Sequence, residues 1–370
     1  MVACSSDIAE TRRSSFAIPR ILLAPLAPLY RFGLETHRGL YRLRLKRRFR
    51  PDVPVICVGN LSTGGTGKTP VVIAIVRMLQ AAGRRVGVLT RGYKGGARRL
   101  ALRAERGAAE LTVTPREVGD EPFLLAEKLQ GAHLLVGADR AQSARLAVEE
   151  FGCNVLVLDD GFQHWGLARD LDIVLLDATM PAGQRHLLPW GAMREPWSAL
   201  GRASVAVVTK AFDPAQRQRT AERVRREHPG LPLWQATFAP GPIQRLATGK
   251  AIDARELDAG PVVLVCGLAA PDSFERTARE LGATIAARFF YPDHFAYPEL
   301  VVRYVERQAA RLGARWLLTT EKDAVKLRGR TSPQSPWAIV SIETQWLDPS
   351  EDDVRAFLER TIAAFRDEKE

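Results

Sequence analysis

Between Val58 and Pro70 the chain reads Val-Gly-Asn-Leu-Ser-Thr-Gly-Gly-Thr-Gly-Lys-Thr-Pro, after the apolar run Val53–Val58 and at the head of the amphipathic stretch Lys68–Ala82. A strand, a glycine-rich loop and then Gly-Lys-Thr opening a helix lets backbone N–H groups and a helix N-terminus cradle phosphates. Gly64, Gly65, Thr66, Gly67 and Lys68 form the cradle in this reading, with Lys68 reaching the β and γ oxygens and the Thr69 hydroxyl ligating Mg²⁺. The usual spacing puts its first glycine where this chain has Ser62. The adjacent Gly64 and Gly65 supply the tight turn in its place.

Short apolar runs and amphipathic stretches alternate around this loop. Arg85–Leu89, His133–Val136, Asn154–Leu158, Asp172–Leu176 and Ala203–Val208 read as buried strands, and Asp120–Gln130 and Asp139–Phe151 as helices. Such alternation implies an α/β fold with a mostly parallel sheet covered on both faces. The pattern weakens over Phe238–Gly260, where Gly, Pro and polar residues cluster. A second series follows: strands Pro261–Cys266, Thr284–Phe290, Arg315–Thr319 and Trp337–Ile342, helices Asp272–Leu281, Pro298–Leu312 and Glu321–Leu327, and a last helix from Pro349. The expected organisation is a basic segment over residues 1–50, a nucleotide-binding domain over 51–240 and a smaller α/β lobe over 241–370.

Three further places carry chemistry. Asn154–His164 is an apolar strand ending in Asp159 and Asp160, either a turn or the metal-binding acid that a phosphate-loop site needs on a neighbouring strand. Asp120 and Glu121 open a predicted helix, where Asp120 is either an N-cap or a base for an acceptor hydroxyl, with Glu121 facing the metal. Tyr291–Pro298 holds the pair Asp293-His294 after a strand, and His294 is either a surface histidine or a relay for a carboxylate of the first domain. Arg91 and Arg140 each follow a predicted strand, as salt-bridging residues or as phosphate clamps. A guanine-specific site wants an Asn/Thr-Lys-x-Asp series, with Asp two residues after the Lys, and Thr209-Lys-Ala-Phe-Asp213 places it one residue late. ATP is the expected nucleotide.

With 46% hydrophobic and 26% charged residues, the chain is neither disordered nor collagen-like. Its four cysteines are scattered, so neither a zinc knuckle nor a disulfide framework is expected. The net charge is +11, but residues 1–50 hold 11 Lys and Arg against 3 Asp and Glu, leaving the remainder nearly balanced. That distribution argues against a nucleic-acid groove. In residues 16–50 apolar side chains interleave with arginines, which suits either a solvated basic helix packed on the domain or a segment lying at an anionic membrane surface. The apolar part is broken by Pro19, Pro25 and Pro28 and preceded by Asp7 and Glu10, so neither a spanning helix nor a signal peptide is expected.

Taken in order, Val58–Pro70, Thr90-Arg-Gly-Tyr93, Val118-Gly-Asp-Glu-Pro122, Asp159-Asp-Gly-Phe-Gln-His164, Pro292-Asp-His-Phe295 and Thr320-Glu-Lys-Asp323 resemble the tetraacyldisaccharide 4′-kinase family. The resemblance implies a P-loop enzyme that transfers the ATP γ-phosphoryl group, with Mg²⁺, to the 4′-hydroxyl of an acylated glucosamine disaccharide 1-phosphate in lipid A biosynthesis. It implies a peripheral location at the cytoplasmic face of the bacterial inner membrane and no obligate protein partner. Asp120 then looks like the catalytic base and His294 its partner. Lys68 and Thr69 are the phosphate and Mg²⁺ ligands, with Glu121, Asp159 and Asp160 around the metal. Arg91, Arg140 and His164 line the phosphate and acceptor region.

Overall fold

The computed structural model describes residues 20–92, 99–103, 114–210 and 212–367. Tyr93 of the Thr90–Tyr93 motif and the start of the basic segment, through Pro19, lie outside them. The chain packs as two compact units, one comprising Leu23–Ala239 with Glu343–Glu370 and the other built on Pro240–Ile342.

In chain order, the first unit contains α1 (Ala27–Arg42), β1 (Val55–Asn60), α2 (Lys68–Ala81), β2 (Val86–Thr90), β3 (Arg99–Arg103), α3 (Pro115–Val118), α4 (Asp120–Lys128), β4 (His133–Gly137), α5 (Arg140–Glu149), β5 (Val155–Asp159), β6 (Leu171–Asp177), β7 (Val205–Thr209), α6 (Pro214–Glu227) and the first half of β8 (Leu233–Arg245). Its strands lie in the order β3-β4-β2-β5-β1-β6-β7-β8. All neighbours run parallel except β3, which is antiparallel to β4. Every residue of β1, β2, β5 and β7 is buried, as helices on both faces require. The carboxyl ends of β1 and β5 lie side by side, Val58 opposite Asp159.

The second unit holds β9 (Ala251–Ile252), α7 (Arg255–Asp258), β10 (Val262–Cys266), α8 (Pro271–Glu280), β11 (Ile285–Phe290), α9 (Glu299–Arg311), β12 (Trp316–Thr320), α10 (Glu321–Leu327) and most of β13 (Trp337–Asp348). Its parallel strands run β11-β10-β12-β13, and the end of β8 pairs antiparallel with β9. The chain then returns to the first unit through α11 (Glu351–Asp367).

Two boundaries differ from the expected organisation. Residues 343–370 pack with the nucleotide-binding unit and not with the lobe expected over 241–370. Val354, Leu358, Ile362 and Phe365 of α11 are buried, the helix lies against α2, and Glu359 takes an ion pair from Arg84 just beyond that helix. Nor is the basic segment a separate arm. Tyr30 Oη donates to the Arg194 carbonyl (3.0 Å), Arg38 and Arg48 stack over Trp165 at 5.6 and 5.1 Å, and Phe49 exchanges backbone hydrogen bonds with Gly166 and Ala168. The stretch read as weakly patterned from Phe238 contains half of β8, in which Trp234, Ala236 and Phe238 are buried alternately before Pro240-Gly-Pro242 interrupts the pattern.

Candidate active site

The phosphate loop is held by its neighbours as well as by its own glycines. Gly67 caps α2 at φ 84°, and a Cβ there would lie 2.0 Å from the Phe238 ring, so only glycine fits. Asn60 Nδ2 donates to Thr66 Oγ1 (3.0 Å), and Thr209 Oγ1 donates to the Thr66 carbonyl (2.8 Å), both buried. Along the start of the loop, Thr63 N donates to Ala192 O (2.7 Å) and Arg194 N to Leu61 O (2.7 Å).

At the end of β5 the two acids behave differently. Asp159 is buried and accepts from Thr90 Oγ1 (3.0 Å). Burial pushes its carboxyl up to about 7, the nearby charges of Asp160 and Glu121 add to this, and Lys68 opposes it. Asp160 turns out of the strand at φ 52°. Burial alone would raise its carboxyl too, but Lys68 (Nζ to Oδ1 3.5 Å) and Arg194 Nη1, which donates to both carboxylate oxygens (3.0 and 2.8 Å), hold it below the usual carboxylate range. Asp159 thus ends the strand and Asp160 opens the turn after it, with its carboxylate towards the loop lysine.

Asp120 is not an N-cap. Gly119, at φ 96°, occupies that position and Asp120 is the first residue of α4, followed by Glu121. Asp139 caps α5 by accepting from Gln142 N (3.0 Å), so Arg140 is the first residue of that helix. The Arg140 guanidinium is buried, donates to the Gly137 carbonyl, and is pushed down to about 10 by burial, against the pull of Asp159. Its Nε has no hydrogen-bond partner among the described residues. Arg91 is exposed and close enough to Arg140 to depress it further. Burial, then the Arg140 and Arg169 charges, push His164 down to about 4.

A pushed-up Asp159 with two further carboxylates close by is what a divalent cation relieves, so the residues fit Mg²⁺. Among the described residues no three acids or histidines converge into a ready cage. Mg²⁺ binds in this incomplete manner, keeping waters and taking oxygens from a nucleotide.

His294 belongs to the second unit. It sits at φ 64°, with Nε2 3.8 Å from Asp293, whose carboxylate Lys322 also holds (3.1 Å). The Thr320–Asp323 motif acts structurally here: Asp323, fully buried, accepts from Gly267 N (2.9 Å) and Thr320 Oγ1 (2.8 Å). Tyr291, Phe295 and Tyr297 of the same loop pack on one another.

Three contributors escaped the sequence reading. Arg194 and the pair Glu195–Arg202 lie in no motif, and Thr90 opens the Thr90–Tyr93 motif without having been given a role there. Glu195 is buried, forked by Arg202 at 2.9 and 3.0 Å, and takes a hydrogen bond from Gln163 (3.2 Å), which also donates to Asn60 O (2.9 Å). The guanine question closes as well, because Asp213 caps α6 by accepting from Ala215 N (2.9 Å) and Lys210 pairs with Asp177 (3.2 Å).

A parallel sheet with a Gly-rich loop and helix at the carboxyl end of an inner strand, and acids at the end of the adjacent strand, defines a P-loop nucleotide-binding protein. A sequence profile described as Tetraacyldisaccharide-1-P 4′-kinase matches residues 19–363. The chain is 43% identical over 307 residues to the Tetraacyldisaccharide 4′-kinase of Anaeromyxobacter dehalogenans (strain 2CP-C), covering 83% of this chain and 80% of that one. It is 36% identical over 339 residues to the enzyme of that name from Syntrophus aciditrophicus, covering 90% of each. Among solved structures it resembles LpxK from Aquifex aeolicus in complex with ATP, with a TM-score of 0.73 and 28% identity over 93% of this chain and 99% of that one. The chain belongs to the tetraacyldisaccharide 4′-kinase family.

Proposed function

We propose that the protein transfers the γ-phosphoryl group of ATP to the 4′-hydroxyl of an acylated glucosamine disaccharide 1-phosphate. The observation that carries this reading is the convergence of Lys68, Asp159, Asp160 and Glu121 at one edge of the sheet, in a chain of this family. Phosphoryl transfer needs positioning and charge neutralisation more than covalent chemistry. The loop N–H groups and Lys68 hold the phosphates, Thr69 and Asp159 with Glu121 hold Mg²⁺, and Asp160 keeps Lys68 and Arg194 in place. When bound, Mg²⁺ neutralises the charge developing on the phosphate oxygens. Asp120 takes the proton of the acceptor hydroxyl as its oxygen attacks the γ-phosphorus. The bond from that phosphorus to the bridging oxygen breaks, and ADP leaves. Arg91, Arg140 and the neutral His164 line the phosphate and acceptor region.

The acceptor is a lipid, and α1 suits a peripheral place at the cytoplasmic face of the inner membrane. Leu29 and Phe32 of α1 are exposed, as are Leu26 just before the helix and Leu43 and Leu45 beyond it among arginines. No helix among the described residues is long and apolar enough to cross a membrane. Incubation of the purified protein with Mg-ATP and the acylated disaccharide 1-phosphate is expected to yield the bisphosphate. Folded protein that binds ATP yet gives no phosphorylated lipid would refute the assignment.

A further inference from the structure

A cavity of about 320 Å³ opens beside the phosphate loop, within the first unit. Its floor is apolar, formed by Leu61, Leu176, Met180, Met193 and Trp197, and Arg185, Arg219 and Arg223 stand around it. Arg185 and Arg219 are exposed, and Arg185 is anchored to the Met180 carbonyl (3.2 Å). Arg223 lies flat on Trp197 at 4.0 Å and pairs with Glu227 (2.9 Å). Asp177 is the acid in the lining, and its charge is met by Lys210 (3.2 Å) and its oxygen by Thr179 Oγ1 (2.6 Å). The cavity therefore carries an excess of positive charge over an apolar base.

That combination selects against two ligand classes. A neutral lipid gains nothing from the arginines, and a wholly polar anion gains nothing from the floor. An anionic amphiphile satisfies both, its phosphate taking guanidinium forks and its hydrocarbon covering the leucines and methionines. The wall between cavity and nucleotide site is the phosphate loop itself, because Leu61 and Ser62 line the cavity and Ser62 is bridged to Met193. An occupant here sits next to the phosphate donor.

Resting on the kinase reading above, we propose that this cavity seats the 1-phosphate end of the acceptor lipid. The site holds the anionic end while the hydroxyl to be phosphorylated faces the nucleotide. Kinetics of Arg185→Ala/Arg219→Ala against wild type, using the acceptor with and without its 1-phosphate, test this. On the 1-phosphate acceptor the variant's KM rises about 10- to 100-fold, the range for losing charged hydrogen bonds, with kcat and the KM for ATP unchanged. On the acceptor lacking the phosphate, the two proteins perform alike. An unchanged KM, or an equal penalty on both acceptors, overturns the proposal. So does a loss of binding to phosphatidylglycerol vesicles with acceptor KM intact, which would assign the arginines to membrane headgroups. Equilibrium binding of the 1-phosphate lipid reads the cavity without turnover: weaker binding to the variant supports the site and equal binding refutes it. Wild type that binds this lipid but phosphorylates neither acceptor defeats the kinase reading alone.

Discussion

Asp159 and Asp160 are adjacent in sequence and opposite in behaviour, because one ends a buried strand and the other turns back towards Lys68 and Arg194. Roles at this scale are set by what each side chain faces. Asp120→Asn, which keeps shape and removes basicity, is expected to lower turnover by orders of magnitude while ATP affinity, measured by calorimetry, stays within about twofold. His164 provides a pH test. Its folded pKa of about 4 lies below the ordinary 6.5, so between those values the unfolded chain takes up a proton that the folded protein refuses. Stability from this group is complete above pH 6.5 and is lost as pH falls towards 4. Denaturant midpoints of wild type should therefore fall more steeply between pH 6.5 and 4 than those of His164→Gln. Gly67, Lys68 and Thr69 were readable because their chemistry is contiguous. Arg194 and the role of Thr90 were not, since their partners are 34 and 69 residues away, and nothing local marks an arginine that will pair with a distant aspartate.

The elements that sequence pattern makes plain are those buried on both faces, such as β1, β2, β5 and β7, whose apolar runs have no other use. Elements with a narrow buried stripe were harder to see. α6 buries only Ala221 and Val224 between charged residues, and the alternation of β8 is cut short by prolines. In α1 the mixture of leucines and arginines was legible, but its docking through Tyr30 and Arg38 was not, because Trp165 and Arg194 lie more than a hundred residues on. The docking changes how the helix should be tested: removing it would strip the body as well, whereas Leu29 and Phe32 are 68% and 69% exposed. Leu29→Glu/Phe32→Glu is expected to cut co-sedimentation with anionic vesicles severalfold, with ATP affinity and melting temperature unchanged.

The molecule as a whole is less modular than its two series of strands suggest. The expected boundary after residue 240 is crossed twice, within β8 and within β13, and α11 returns to cover α2. Sequence showed both α/β series but had no means of saying which one would take the last helix, since an apolar stripe names no partner. Leu358 is fully buried, and Leu358→Ala is expected to cost about 2–5 kcal/mol, read as a lower melting temperature and earlier loss of ATP binding on heating. The isolated segment 241–370 is expected not to fold, because it carries a helix without its seat and the end of a strand without its start; native-like dispersion of its NMR spectrum would contradict this.

The return of α11 also has a consequence for how the protein is made. The helix bearing the phosphate loop leaves the ribosome before the helix that covers it, which emerges only after the whole of Pro240–Ile342. At 5–20 residues per second, the apolar back of α2 waits on the order of ten seconds or more for its cover. Nascent chains are therefore most exposed to misassociation while the second unit is being synthesised, and the nucleotide-binding unit is completed only after that unit has been made.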